Sequence, residues 1–391
     1  MSKQQVIILG STGSIGESAL SVLSELADSF EVVGLSGGTQ WQKLAQQARY
    51  WNPKFVALAD TAHQESLRTE LPNGCQLIDG PDSLTRLVEA VECDCVISAV
   101  VGAAGLPATL RAVQLGRKVA LANKEPLVIA GELLMKTAEK TAATILPIDS
   151  EHSAVFQALQ AGQHDDVERI VLTASGGPFR DATELELERA TVKDALNHPT
   201  WSMGPKITID SATMMNKALE IIEARWLFGF ESDQIEVMIH PESILHSMVE
   251  FCDGSVIAQM GTPDMRTPIQ YALTYPRRYP CPASRLSLTK LGQLTFHEPD
   301  ASRFPSLRLG HQVAAEGGST GAVLNAANEV SNALFREGKI GFCDIVRLTE
   351  DVLGLHDRID SPLLDELIDA DNWARREVET VLAASPINKE T

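Results

Sequence analysis

Asp149 and Glu151 flank a serine in the run Ile148-Asp149-Ser150-Glu151-His152-Ser153. If the chain is extended there, residues two apart point to one side, and paired carboxylates suit a hard divalent cation. The same residues could instead cap a helix that the apolar run Ala154 to Leu159 predicts. By itself the segment supports both readings. A third acid, Glu220, lies in a stretch from Ser211 that is expected to open a helix continuing through Ile221, Ile222, Trp226 and Leu227. On it Asn216 and Glu220 are four apart and Lys217 and Glu220 three apart, so amide, ammonium and carboxylate share one face. Leu219, Ile222 and Trp226 supply a separate apolar side. Such a face can be a solvated ion pair, but its surroundings argue for a site. Lys206 lies upstream, and Asn197-His198-Pro199-Thr200-Trp201-Ser202-Met203-Gly204-Pro205 sets His, Trp and Met in a loop bounded by Gly and Pro. The loop could be a lid in which Trp201 and Met203 exclude water while His198 and Lys217 meet an anion, or a surface loop on one aromatic anchor. Ser175, in Ala174-Ser175-Gly176-Gly177-Pro178-Phe179, offers a further hydroxyl. With Ser211, Asn216 and Lys217 it would make a neutral and basic phosphate pocket.

A second kind of chemistry is suggested by Gly10-Ser11-Thr12-Gly13-Ser14-Ile15-Gly16, placed between a strand-like run Val6 to Leu9 and a helix to about Leu26. Glycines there allow a tight turn and let a pyrophosphate approach backbone N–H groups at a helix N-terminus. The spacing is GxxGxxG rather than GxGxxG, and the strand before and helix after supply the context that such a loop needs. NAD enzymes place a carboxylate at the end of the second strand for the ribose 2′-hydroxyl. Here that strand ends Leu35-Ser36-Gly37-Gly38-Thr39-Gln40, without an acid, and Thr39, Gln40 and Lys43 could meet a 2′-phosphate. NADPH is therefore favoured over NADH.

These residues need a scaffold, and the chain supplies one. Short β-branched runs at Val6 to Leu9, Glu31 to Leu35, Phe55 to Leu58, Cys95 to Ala99, Lys118 to Leu121 and Thr144 to Ile148 alternate with helical spacing, as at Ser83 to Val91 and Pro126 to Lys140. Continuous apolar strands separated by helices predict a doubly wound parallel sheet. Beyond Asp149 the runs Ile170 to Thr173, Gln234 to His240, Ile244 to Phe251 and Ser255 to Met260 predict a mixed sheet, with a hairpin at Asp253-Gly254. Tyr275 to Pro305 reads as a connector, and Ser306 to Ala315, Gly321 to Phe335, Asp344 to Leu353 and Leu364 to Ala383 are helical in pattern. The expected organisation is a nucleotide domain at 1–149, a catalytic α/β domain at 150–280, a linker at 281–305 and a helical domain at 306–391.

The 391 residues carry 33 Lys plus Arg against 52 Asp plus Glu, a formal charge of −19. Such a chain repels nucleic acid and anionic membranes, while a locally basic site can still take a small anion. No apolar run approaches the roughly 18 residues of a membrane span. A strand beginning by Val6 leaves no room for a signal peptide, so a cytoplasmic, bacterial setting is expected. The six cysteines form no CxxC pair and no metal-ligand spacing with histidine, and they read as reduced thiols.

Six segments together resemble the 1-deoxy-D-xylulose 5-phosphate reductoisomerase family. They are the loop GSTGSIG, Ala122-Asn123-Lys124-Glu125, PIDSEHSAVFQAL from Pro147, LTASGGPF from Leu172, HPTWSMGPKITIDSATMMNKALE from His198 and MGTPDMRTPIQYAL from Met260. The resemblance runs in order along nearly the whole chain. It implies an N-terminal Rossmann-like NADPH domain, a central catalytic and dimerisation domain and a C-terminal helical bundle, working as a homodimer. It also implies that Asp149, Glu151 and Glu220 hold one Mg²⁺ or Mn²⁺, with Co²⁺ a further candidate. Three carboxylates without His or Cys agree with a hard ion. By the same resemblance Lys124, Ser150 and Glu151 meet the carbonyl and hydroxyl end of the substrate. Ser175, His198, Ser211, Asn216 and Lys217 meet the remainder, including the phosphate, and Glu220 is a further substrate contact. NADPH would lie along Thr12, Gly13, Ser14 and Ile15, with Gly38, Gln40, Asn123, Glu125 and Gly204 nearby. The reaction implied is a rearrangement by retro-aldol cleavage and re-addition, followed by reduction to 2-C-methyl-D-erythritol 4-phosphate, with Lys124 and Glu151 handling protons.

The chain departs from the family pattern in two places. Thr39-Gln40 stands where a basic or amide pair is expected, which weakens the 2′-phosphate argument. In His240-Pro241-Glu242-Ser243-Ile244-Leu245-His246-Ser247 the family more often has Gln at the position of Glu242, and His246 is expected to be structural or a lid partner. Two rival readings are an oxidoreductase acting on another sugar phosphate and a non-enzymatic NADP-binding regulator. Metal-dependent turnover separates the regulator from an enzyme.

Overall fold

The computed structural model describes residues 2–201 and 203–384. The chain divides into two compact units, one of residues 1–126, 134–153 and 264–284, the other of residues 127–133, 154–263 and 285–391.

In the first unit seven strands form one parallel sheet: β1 (Gln4–Leu9), β2 (Phe30–Gly37), β3 (Phe55–Leu58), β4 (Gln76–Ile78), β5 (Cys95–Ser98), β6 (Lys118–Leu121) and β7 (Thr144–Pro147). Their order is β4-β3-β2-β1-β5-β6-β7. Val6, Ile7, Ile8 and Leu9 are all wholly buried, as expected of a central strand with helices on both faces. The order reverses between β1 and β5, and the crevice beyond the carboxyl ends of strands at such a switch point is where open α/β sheets take ligands. The doubly wound sheet predicted from the sequence is present. β4, three residues at the edge, carries too little periodicity to be read in advance. The helix Arg266–Thr274 returns to this unit, packing on the helix Ser14–Glu25, and Lys118 Nζ donates to the carbonyl of Leu273 at 2.7 Å.

The second unit holds a four-stranded mixed sheet of β8 (Val167–Ala174), β9 (Ile235–Ile239), β10 (Leu245–Phe251) and β11 (Val256–Met260), in the order β11-β10-β8-β9. β8 and β9 are parallel, whereas β10 runs antiparallel to both β8 and β11. The predicted hairpin closes at Gly254, where φ is +82°, and the Asp253 side chain accepts from Ser255 N. Helices Ser306–Glu316, Thr320–Arg336, Phe342–Gly354 and Leu364–Ala384 form the predicted helical region. The first of them packs on the helix Met215–Phe228.

Candidate functional site

The first unit builds a glycine-rich cradle from the loop after β1. Gly10 has φ +83°, and a Cβ there would stand 2.5 Å from the carbonyl oxygen of Ala99, just past β5. A Cβ on Gly16 would meet Gly10 O at 2.4 Å. Both glycines are thus imposed by close backbone approach. The loop is held by Gly10 N donating to Ser36 Oγ at 2.9 Å, and by Gln47, which accepts from Ser11 Oγ and donates to Ser11 O. Gly13 is the N-cap of the helix Ser14–Glu25, and among the described residues no side chain caps that end, so the N–H groups of the helix's first turn are available to an anion. Thr12 is a buried member of the loop, while Ser14 and Ile15 lie in the first turn of the helix Ser14–Glu25.

Asn123 lies beyond the carboxyl end of β6. Its Oδ1 accepts from Ser98 Oγ, which is itself 2.8 Å from Thr109 Oγ1. Its buried Nδ2 has no hydrogen-bond partner among the described residues, which is how a donor reserved for a bound group looks. Glu125 opens the helix Glu125–Thr141 and is buried. Gly38 and Gln40 are exposed past the end of β2, and no acid stands there. Lys43, expected near a 2′-phosphate, is ion-paired with Glu17 at 2.7 Å.

Lys124, only 4% exposed, pairs its Nζ with Asp149 Oδ2 at 2.9 Å. The other oxygen of Asp149 accepts from Glu151 N at 3.2 Å and lies 3.1 Å from Nδ1 of the fully buried His152. Ser150 Oγ donates to Glu151 Oε2 at 2.8 Å. The extended geometry considered for Asp149 to Glu151 is not adopted: the helix Ser150–Ala158 begins at Ser150, and Glu151 occupies its first turn. Capping and a carboxylate site are therefore compatible here, because Asp149 caps with Oδ1 and meets Lys124 with Oδ2.

In the second unit Ser175 Oγ lies 3.1 Å from His198 Nε2. His198 Nδ1 accepts from the backbone N–H groups of Thr200 and Trp201, at 3.1 and 2.9 Å. Two donors on Nδ1 place the proton on Nε2, so Nε2–H donates towards Ser175. Burial pushes the imidazole below its usual range and keeps it neutral. Gly177, at φ +66°, lets the turn after Ser175 approach Ser211: a Cβ there would be 2.7 Å from Ser211 O.

The helix expected to open at Ser211 is two helices. Gly204 and Pro205 start the first, Pro205–Ala212, with Pro at a first-turn position, so Ser211 falls in its last turn. Met214 then adopts a left-handed conformation, φ +59°, before the helix Met215–Phe228. The Thr213 hydroxyl donates to the carbonyl of Ile209 and accepts from Met215 N, satisfying groups the break would orphan. On the second helix the expected face is present: Asn216 Nδ2 and Lys217 Nζ donate to Oε1 and Oε2 of Glu220. It is no solvated ion pair, for Lys217 and Glu220 are 4% and 1% exposed.

The segment His240 to Ser247 has a structural part. Glu242 accepts from Thr295 Oγ1 at 2.7 Å and from Thr295 N, tying the connector to the end of β9, and His246 is buried in β10. All six cysteines are free thiols. Burial raises Cys75 and Cys93 to about 11 and Cys95 to about 12, values at which a thiolate nucleophile is absent at neutral pH. Gln47 and the Ser98–Thr109 pair support the site without any sequence signal beyond residue type. Ser202 of the Trp201 loop lies outside the described residues.

The model of 1-deoxy-D-xylulose 5-phosphate reductoisomerase matches residues 6–131, and those of two C-terminal domains of that enzyme match residues 145–228 and 260–377. A relative from Pelotomaculum thermopropionicum named 1-deoxy-D-xylulose 5-phosphate reductoisomerase is 52% identical over 374 residues, covering 95% of this chain and 97% of its own. Another of that name, from Heliobacterium modesticaldum, is 49% identical over 95% of this chain and 96% of its own. Among solved structures, the Zymomonas mobilis enzyme in complex with NADPH superposes with a TM-score of 0.92 at 41% identity, covering 98% of this chain and all of that one. A reductoisomerase in complex with NADPH, fosmidomycin and magnesium gives 0.91 at 38% identity, covering 97% and 98%. With family models matched in order over residues 6–131, 145–228 and 260–377, and relatives about half identical over nearly the whole chain, the chain belongs to the 1-deoxy-D-xylulose 5-phosphate reductoisomerase family.

Proposed function

We propose that the chain converts 1-deoxy-D-xylulose 5-phosphate into 2-C-methyl-D-erythritol 4-phosphate, using NADPH and a divalent cation, in the non-mevalonate route to isoprenoid precursors. The observation that carries this reading is a pair of carboxylates, each held by a buried ammonium: Asp149 under Lys124, and Glu220 between Asn216 and Lys217.

Both cofactors fit the residues present. The buried Nδ2 of Asn123, without a hydrogen-bond partner among the described residues, and the helix end at Gly13, uncapped by any described side chain, suit NADPH, which would lie along Thr12, Gly13, Ser14 and Ile15, with Gly38, Gln40, Glu125 and Gly204 beside it. Asp149, Glu151 and Glu220 would hold the cation, being oxygen donors without a soft ligand among them. When bound, the cation supplies Lewis acidity for charge developing on the hydroxyketone oxygens, and NADPH supplies the hydride. Lys124 keeps a proton at Nζ for the carbonyl end of the substrate. Glu151, its Oε2 already accepting from Ser150, takes the hydroxyl proton, and Ser150 aligns that hydroxyl. The phosphate is bound by Nε2–H of His198, the hydroxyls of Ser175 and Ser211, the Asn216 amide and Lys217. Trp201 and Met203 keep water from the reactive aldehyde.

Among the described residues no helix is long and apolar enough to cross a membrane, and a cytoplasmic enzyme is the reading adopted. A homodimer is proposed as well: β11 is an edge strand with Val256 and Ile257 exposed, open to strand pairing with a second copy. The deciding experiment mixes metal-stripped protein with NADPH and 1-deoxy-D-xylulose 5-phosphate and follows NADPH absorbance before and after Mg²⁺ or Mn²⁺. Oxidation that needs both metal and substrate, and is lost in Glu220→Gln, is expected. No oxidation in protein that still binds NADPH overturns the substrate assignment.

A further inference from the structure

The helix Thr320–Arg336 carries a polar line, Asn325, Asn328, Ser331 and Asn332, every one wholly buried. Two of these amides converge on one residue of the helix Pro205–Ala212. Nδ2 of Asn328 and Nδ2 of Asn332 donate to the same oxygen of Asp210, Oδ1, at 3.0 and 2.9 Å. The other oxygen of Asp210 is paired with Lys206 Nζ at 3.0 Å, and Asn332 Nδ2 also reaches the carbonyl of Lys206 at 3.0 Å. Asp210 is 1% exposed. The Oδ1 atoms of Asn328 and Asn332 have no hydrogen-bond partner among the described residues.

As a device for stability this cluster is poor. A carboxylate and two amides have been taken out of water, and both amides leave an acceptor without a partner among the described residues. Apolar side chains of similar volume at such positions are commonly as stable or more so. What the cluster does supply is direction. A donor pair on Oδ1 and an ammonium on Oδ2 permit one orientation of the helix Pro205–Ala212, where an apolar contact would let it slide or rotate. That helix follows the loop carrying His198. Its last turn holds Ser211, whose carbonyl oxygen rests against Gly177, and it leads through Met214 to Asn216 and Lys217. Its far end is tied too, since Ser306 Oγ donates to the carbonyl of Thr213 at 2.7 Å.

We infer that Asp210, clamped by Asn328 and Asn332, is a positioning residue that sets the helix Pro205–Ala212 so that Ser211, Asn216 and Lys217 present their donors to the substrate phosphate together. The inference rests on the assignment of those residues to the phosphate made above. Asp210 touches no reacting group. It acts on ground-state and transition-state binding alike, so its loss is read in KM rather than kcat.

The test is steady-state kinetics of the full-length, metal-loaded enzyme with thermal unfolding in parallel. Asp210→Asn removes the charge at constant shape. It is expected to raise KM for 1-deoxy-D-xylulose 5-phosphate about tenfold while kcat falls less than about threefold. Should that variant fail to fold, the triple replacement Asp210→Leu, Asn328→Leu, Asn332→Leu is measured instead. It is expected to fold with an unfolding temperature no lower than the parent's and to show the same rise in KM. A parental KM in whichever variant folds overturns the inference, as does failure of both to fold, because the cluster is then a folding element only. Lys217→Ala separates the two layers: if it too leaves KM unchanged, the phosphate assignment itself has failed, whereas a raised KM there beside a parental KM in Asp210→Asn sinks the clamp alone.

Discussion

A β-carbon on Gly177 would stand 2.7 Å from the carbonyl oxygen of Ser211. Those two residues are far apart in sequence, and the contact between their backbones brings the Ser175 turn against the last turn of the helix Pro205–Ala212. Gly177→Ala must both adopt φ +66° and push the two segments apart. The strain costs about 1–3 kcal/mol. We expect a lower unfolding temperature and a KM for the sugar phosphate raised about tenfold, with NADPH affinity unchanged. Titration of NADPH fluorescence beside substrate kinetics checks both halves.

His198 gives the site a pH dependence of definite sign. Burial lowers its pKa below the ordinary 6.5, so the folded protein binds that proton less readily than the unfolded chain. The stability it contributes is present above about pH 6.5 and is lost as pH falls towards the folded value. Because Nδ1 accepts from Thr200 and Trp201, protonation there breaks both contacts and loosens the loop. KM for the sugar phosphate should therefore rise as pH falls below about 6.5, beyond the effect of the phosphate's own titration. His198→Asn should show only the latter. Nitrogen NMR of the histidine should find the Nε2–H tautomer at neutral pH, and an Nδ1–H signal would contradict the assignment.

The buried pair of Lys124 and Asp149 separates metal affinity from turnover. Lys124→Met removes a cation 2.9 Å from a proposed metal ligand. Metal binding should be retained or tightened, while kcat falls by about 10²–10⁴ with the loss of proton handling. Calorimetric titration of Mg²⁺ or Mn²⁺ into the variant, with kinetics alongside, reads both. Chelation of the parent enzyme should abolish turnover and added Mg²⁺ should restore it.

The glycine loop predicts unequal effects of one substitution. A Cβ on Gly16 would lie 2.4 Å from Gly10 O, whereas one on Gly13 meets only that same oxygen, at 3.5 Å. Gly16→Ala should lose NADPH binding together with stability of the first unit, by about 1–3 kcal/mol of strain. Gly13→Ala should keep the parental unfolding temperature and weaken NADPH alone, by crowding the backbone an anion must approach. Equal unfolding temperatures for the two variants would contradict this account of the loop.

Much of this protein was decided along the chain. Val6 to Leu9 has no polar residue to face water, so it had to be a strand buried on both faces. Asn216, Lys217 and Glu220 share a helical face by spacing alone, and the structure has that face. Other features waited on tertiary structure. For Asp149 to Glu151 the sequence supports extended chain and a helix cap equally; Asp149 caps a helix that begins one residue later, and only the position of Lys124 shows that Asp149 can cap and pair at once. The break at Met214 was invisible because its φ of +59° is held by the Thr213 hydroxyl and the packing of Ser306, not by a glycine or proline that a reader could see. Asp210 looked like one acid among 52 acidic residues; its two amide donors come from a helix more than a hundred residues further on. Periodicity and residue type govern short-range geometry, which is local and so written in order. Which buried donor meets which acceptor depends on the packing of remote segments, and that is settled only when the chain is folded.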